Sequence, residues 1–201
     1  KIVFNGEFRE THPLGRFEWI KFVGTLLGKQ REATQVFNKR KSEYIQLKRR
    51  VTKKGLHQFP LVLLGRNYQG SWHLPGANTY LSKLILDAGA KQPWSKKTAE
   101  LFFPVNFETI LKETKGTKFW LPQSPWNSKK DIIREDSRYS LLAPFREDLI
   151  YTNNKKINEN GGNDYWEGAL VNPHLLLKDL VKIFHPELLP SHKLKWYKKI
   201  L

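Results

Sequence analysis

Apolar positions along the chain repeat first with helical spacing and then in alternating strand and helix patterns. Ile2-Val3-Phe4 predicts a short strand, and Pro13 opens a helix in its first turn, where the missing N–H leaves nothing unsatisfied. The face of this helix, Phe17, Ile20, Lys21, Gly24 and Leu27, is mixed and weakened by its glycines. From Gln30 to about Val51, Ala33, Phe37, Tyr44, Leu47 and Val51 form a stripe at steps of three and four, broken only by Arg40. Such a helix is roughly 33 Å long, enough to cross a whole lobe. Its charged far face predicts a position along the outside of a domain or between two.

Beyond Gly55 the pattern changes. Phe59 to Gly65 is a short apolar run that predicts a fully buried strand. The loop that follows carries Trp72, His73, Pro75 and Gly76, and then a helix runs from an Asn78 cap through Leu81, Leu84, Ile85 and Ala88 to a left-handed cap at Gly89. An irregular segment through Pro93-Trp94 and Phe102-Phe103-Pro104 leads to a helix from Asn106 to Gly116 and a strand at Thr117 to Leu121. Pro122 to Asn127 read as a loop, Ser128 and Asp131 as a capping box, and Leu149 to Thr152 as the next strand. An Asn/Lys loop ends at the Gly161-Gly162-Asn163 turn. A last long helix begins at Asn172-Pro173, turns Leu176, Leu177, Leu180, Ile183 and Phe184 inward, and stops at Pro186. His192 to Leu201 form a basic amphipathic turn or short helix. Strands alternating with helices predict an α/β fold, a three-layer sandwich with a mostly parallel sheet over residues 56–201, preceded by the long helix of residues 30–55.

The 201 residues hold 35 Lys and Arg against 19 Asp and Glu, a net charge of +16. That field favours anionic partners: nucleic acid, an anionic membrane face or an anionic small ligand. The absence of Cys excludes disulfides, thiolate metal sites and a cysteine nucleophile. No nucleophile elbow, Walker loop or dinucleotide fingerprint is present, and the six His show no metal-ligand spacing, so neither an enzyme nor a cofactor or metal site is expected. Chemistry is instead concentrated in aromatic and amide residues. In an open α/β sheet, loops leaving the carboxyl ends of strands collect ligand contacts. Those loops carry Trp72 and His73, then Gln123 and Trp126, then Asn163, Tyr165 and Trp166, with Trp94 in the irregular segment. Rings there suit a flat or bulky ligand, while the competing role for Trp72 is to fold back onto the core.

Several strings carry a family resemblance: Glu10 to Ile20 (ETHPLGRFEWI), Gly28 to Tyr44, Ser71-Trp72 with the Asp87-Ala-Gly89 turn, Gly161 to Trp166 (GGNDYW) and Leu177 to Pro190. In order and spacing the chain resembles the periplasmic substrate-binding proteins of ABC importers for iron-siderophores, haem and cobalamin. The resemblance implies two α/β lobes joined by one long helix, with a metal-chelate ligand held between them, no reaction catalysed and no specific nucleic-acid partner. It makes residues 1–29 a remnant of the N-terminal lobe, residues 30–55 the connecting helix and residues 56–201 the C-terminal lobe. Most of the N-terminal lobe would precede Lys1, together with a signal or lipoprotein cysteine that tethers the protein on the periplasmic side. The resemblance also implies a permease partner in the membrane, met through an acidic residue on each lobe, which here is Glu108. The alternative from charge alone is a basic nucleic-acid-binding α/β module, and a third, weaker reading is a glycan-binding or hydrolytic domain built on the tryptophans.

Overall fold

The computed structural model describes residues 2–54, 59–94 and 101–201. The expected lobe boundary at residues 55 and 56 lies outside them. Helix α1, Pro13–Leu26, starts at its proline, with His12 as N-cap accepting the Leu14 N–H on Nδ1 at 3.1 Å. Helix α2, Gln30–Lys53, buries Ala33, Phe37, Tyr44, Leu47 and Val51, the expected stripe. Arg40, the break in that stripe, turns its guanidinium outward to the Val171 carbonyl at 2.5 Å.

The central sheet is parallel. Strand β1, Leu61–Leu64, pairs with β5, Thr117–Leu121, and single parallel bridges extend it from Leu61 to Lys91 on one side and from Trp120 to Ile150 on the other. Strand β6, Tyr151–Thr152, then takes an antiparallel edge partner, β7, Lys198–Lys199. Alternation along β1 and β5 divides the interior into two cores. Val62, Leu64, Phe119 and Leu121 face one cluster with α2, with α3 (Tyr80–Asp87) and with α7 (Pro173–Phe184). Leu63 and Trp120 face the other, with α4 (Phe107–Glu113), α5 (Lys129–Glu135), the short α6 (Ala143–Arg146) and a second, three-stranded antiparallel sheet. Both faces of the strands are covered, which is why they read as continuous apolar runs. This is the expected three-layer α/β arrangement.

The second sheet departs from the sequence reading. Its strands β2 (Asn67–Tyr68), β3 (Ser71–Pro75) and β4 (Phe102–Val105) occupy stretches read as a loop and as an irregular segment. Trp72 and Leu74 point in while His73 points out, a period of two. The hairpin closes through Gln69 and Gly70, both with positive φ (50° and 83°), the pattern a two-residue turn needs to match strand twist.

Three further expectations are corrected. Ile2 to Phe4 form no strand and are exposed, with no neighbouring strand to pair with among the described residues. The N-cap of α3 is Thr79 rather than Asn78: its hydroxyl is buried among the Gly76 carbonyl and Ser82 while Asn78 faces solvent. The tail from His192 supplies the edge strand β7 instead of a helix. Asp179, fully buried on α7, draws it in by accepting the backbone N–H groups of Lys195 and Trp196 at 2.8–2.9 Å and facing His192 Nε2 at 2.7 Å. Trp196, Tyr197 and Ile200 are thereby buried.

Candidate functional site

The carboxyl ends of β5 and β6 open into a cavity of about 430 Å³, whose lining includes Gln123, Ser124, Asn127, Asn153, Asn163 and Trp166. Strand β5 ends abruptly because Pro122 has no N–H and Gln123 adopts a left-handed backbone, φ 51°, uncommon outside glycine. The loop is fixed at its far end by the capping box of α5. Asp131 accepts the backbone N–H groups of Asn127 and Ser128, each at 3.0 Å, while Ser128 Oγ accepts that of Asp131. The Asn127 backbone N–H and the Ser128 hydroxyl together hold the Asp131 carboxyl below its ordinary pKa.

The second wall is the segment after β6. Asn163 is an N-cap: its Oδ1 accepts the Tyr165 N–H at 3.0 Å, and its Nδ2 reaches the Asn153 carbonyl at 3.1 Å, tying the two ends of the loop together. Tyr165 lies beneath, buried, its hydroxyl 3.2 Å from that of Tyr197. Burial pushes both phenols upward, so both stay neutral. Trp166 stands edge-on against Tyr165, ring centroids 5.0 Å apart, and leaves 53% of its surface exposed on the cavity wall. Ser124 Oγ and Asn153 Nδ2 are buried with no hydrogen-bond partner, although native proteins pair nearly all such atoms. Unsatisfied polar groups in residues that line an open, aromatic-walled cavity fit a ligand site.

The expected site residues therefore divide. Gln123, Asn163 and Trp166 line the cavity and Tyr165 supports it from below. Trp72 does not take part: it is 1% exposed, its indole N–H ends on the Leu64 carbonyl at 2.7 Å, and it packs against Phe107, Trp120 and Tyr139. Trp126 is also core, edge-on to Trp120 at 5.5 Å with its N–H on Glu135 at 2.9 Å, although it borders a second, shallower cavity with Asp131 and Arg134. Trp94 is half-buried against the same cluster. His73 is exposed on the outer face of β3 and lines neither cavity. Glu108 is exposed in the first turn of α4.

Ser124, Asn127 and Asn153 escaped the sequence reading. Their signal was present as polar residues directly after a buried strand, but the Asn/Lys loop reads first as turn chemistry. Among the described residues, no three His, Cys, Asp or Glu side chains come together as a metal site, and no helix is long and apolar enough to cross a membrane.

A family model described as periplasmic binding protein matches residues 4–143. The chain belongs to that family. Its members are solute-binding proteins rather than enzymes. An uncharacterized lipoprotein of Methanocaldococcus jannaschii is 26% identical over 209 residues, covering 98% of this chain and 45% of the relative. Among solved structures, a TroA-like periplasmic binding protein, FepB, from Veillonella parvula superposes with a TM-score of 0.68 at 16% identity, covering 94% of this chain and 62% of that one. The haem complex of IsdE from S. aureus gives 0.63 at 15% identity, covering 88% and 66%. At these identities the solved structures speak for the fold. This periplasmic binding protein chain spans about half the length of the curated relatives it matches, 45% and 58%.

Proposed function

We propose that the protein is the substrate-binding component of an ABC importer for a metal chelate, an iron-siderophore, haem or cobalamin, and that the cavity at the ends of β5 and β6 is one wall of its binding cleft. The observation that carries this reading is the exposed Trp166 ring beside buried, unpartnered Ser124 and Asn153 at the carboxyl edge of the sheet, in a chain of the periplasmic binding protein family. The likeness to a haem-bound binding protein supports a chelate as cargo.

In this reading α2 is the connecting helix, residues 56–201 the C-terminal lobe and residues 1–29 part of the other lobe. The exposed apolar residues Phe22, Val23 and Leu26 of α1 and Leu27 just after it, with Ile2 to Phe4, would then pack against that lobe. Glu108, exposed at the start of α4, would dock on the permease. The name of the Methanocaldococcus jannaschii relative, a lipoprotein, supports a lipid-anchored protein on the outer side of the membrane. The test is titration of the full-length protein with ferric siderophores, haem and cobalamin while following tryptophan fluorescence. Quenching that Trp166→Ala weakens at least about ten-fold is expected, in line with an aromatic contact in a desolvated site. No response to any of these ligands would end the assignment.

A further inference from the structure

Charge along α2 is sorted by face. Arg31, Asn38, Ser42, Gln46, Arg49 and Lys53 recur at steps of three, four and seven, which places them in one row opposite the buried stripe, and all are exposed. The row runs roughly 33 Å along the helix. Its cations are not neutralised from within. Arg31, Arg49 and Lys53, with Lys39 at the flank, form no side-chain ion pair or hydrogen bond among the described residues. Cations on the helix's other faces are spent: Lys48 on Asp87 at 2.7 Å and Arg50 on the Leu188 carbonyl at 3.1 Å, while Lys54, just past the end, pairs with Glu187. Helix α2 holds two acids, and neither joins the row. Glu43 faces Lys178 at 3.5 Å, and Glu32 lies about 100° round the helix from Arg31.

This sorting works against the isolated helix, because Arg49 and Lys53 stand four residues apart, where like charges repel. An anionic counter-surface converts that repulsion into attraction. The shape of the row narrows the partner. Short amides and a hydroxyl between the cations offer hydrogen bonds to phosphate oxygens, and the row carries no aromatic side chain on which a base could stack. A straight, convex row of this kind meets a flat charged surface along its whole length. We propose that this face of α2 rests on the anionic lipid headgroups of the membrane. The cavity at the ends of β5 and β6 stays free in that contact, since none of its lining residues comes from α2. The choice of lipid over nucleic acid rests on the membrane-side location in the reading above.

The test is partitioning of the full-length protein, expressed without export so that no acyl chain is added, onto vesicles, read by co-sedimentation. Vesicles of equimolar phosphatidylglycerol and phosphatidylcholine should hold it at least about ten-fold more strongly than phosphatidylcholine alone, since each cation at an anionic surface is worth roughly five-fold. Salt at about 1 M, where the Debye length is about 3 Å, should abolish the difference. Joint replacement Arg31→Gln, Lys39→Gln, Arg49→Gln and Lys53→Gln should weaken capture about ten-fold or more. Arg31→Lys with Arg49→Lys should retain it, which separates charge from any effect on folding. A matched variant, Lys112→Gln, Lys115→Gln, Lys130→Gln and Arg146→Gln, removes as many exposed cations outside α2 and should stay within about three-fold of wild type. Equal losses in the two four-fold variants would reduce the effect to net charge and overturn the proposal. Equal binding to both kinds of vesicle would overturn it too, and chelate-induced tryptophan quenching in the same preparation would then leave the binding-protein reading in place. Capture of duplex DNA that depends on the four α2 cations, with vesicle capture that does not, would assign the face to nucleic acid and overturn the proposal as well.

Discussion

Two groups of aromatic residues near the same edge of the sheet do opposite work. Trp72, Trp120, Trp126 and Tyr139 pack with ring centroids 5.1–5.9 Å apart, and each indole N–H ends on a carbonyl or a carboxylate of the protein itself. Trp166 rests on one ring, Tyr165, and presents the rest of its surface to a cavity whose polar neighbours lack partners. An aromatic residue at a strand end is thus structural when its polar handle is satisfied internally, and available when the polar groups around it are not. The first group is a dry core with nothing left to offer a ligand. The second has hydrogen bonds still to make.

The largest effect that sharpens this contrast is on stability. Trp72→Ala empties the centre of the aromatic cluster and should cost about 3–5 kcal/mol, whereas Trp166→Ala should cost less than about 1 kcal/mol. Denaturant midpoints of the two variants check it, and comparable losses would erase the distinction. Asp179 extends the comparison to polar groups, since it is buried but gathers several donors. Asp179→Asn turns an NH₂ toward N–H groups and should cost about 2–4 kcal/mol, with early loss of amide-exchange protection at Lys195 and Trp196. Unchanged protection there would mean that the tail docks by side-chain burial alone.

The smallest effect is a pH dependence at a buried polar group away from the cavity. His174 has an unpartnered Nδ1, and burial pushes its pKa down to about 4, against the raising influence of Glu43. The folded protein keeps it neutral, so between pH 6.5 and 4 the unfolded chain binds the extra proton. Its contribution is whole above pH 6.5 and falls by roughly 1–3 kcal/mol as pH drops to 4. Denaturant unfolding across that window should show a shallower decline in His174→Gln than in the wild type; identical slopes would contradict this assignment.

Much of the frame was legible in the sequence. The stripe on α2, the strand at Thr117–Leu121, the box at Ser128 and Asp131 and the inward face of α7 appear as read, because each is written within a few neighbouring residues. The stretch from Ser71 to Pro75 was misread as a loop because its flanking Gly and Pro residues are turn signals, while the alternation of Trp72 and Leu74 is too short to outweigh them. Of the cavity lining, Gln123, Asn163 and Trp166 are legible through their place after predicted strands. Trp72 and Trp126 share that placement and differ only in where their rings and N–H groups end.

By itself the sequence determined the order of the long helices and central strands, the two-sided burial of those strands and the family, all of which depend on local spacing and on strings of residues. Which tryptophan faces a cleft was decided by the tertiary structure, as were the edge strand formed by the tail and the unpaired side-chain atoms of Ser124 and Asn153. Whether a side chain's hydrogen bonds are already made depends on partners tens of residues away, such as Lys198 on Asn127. No window of sequence contains both.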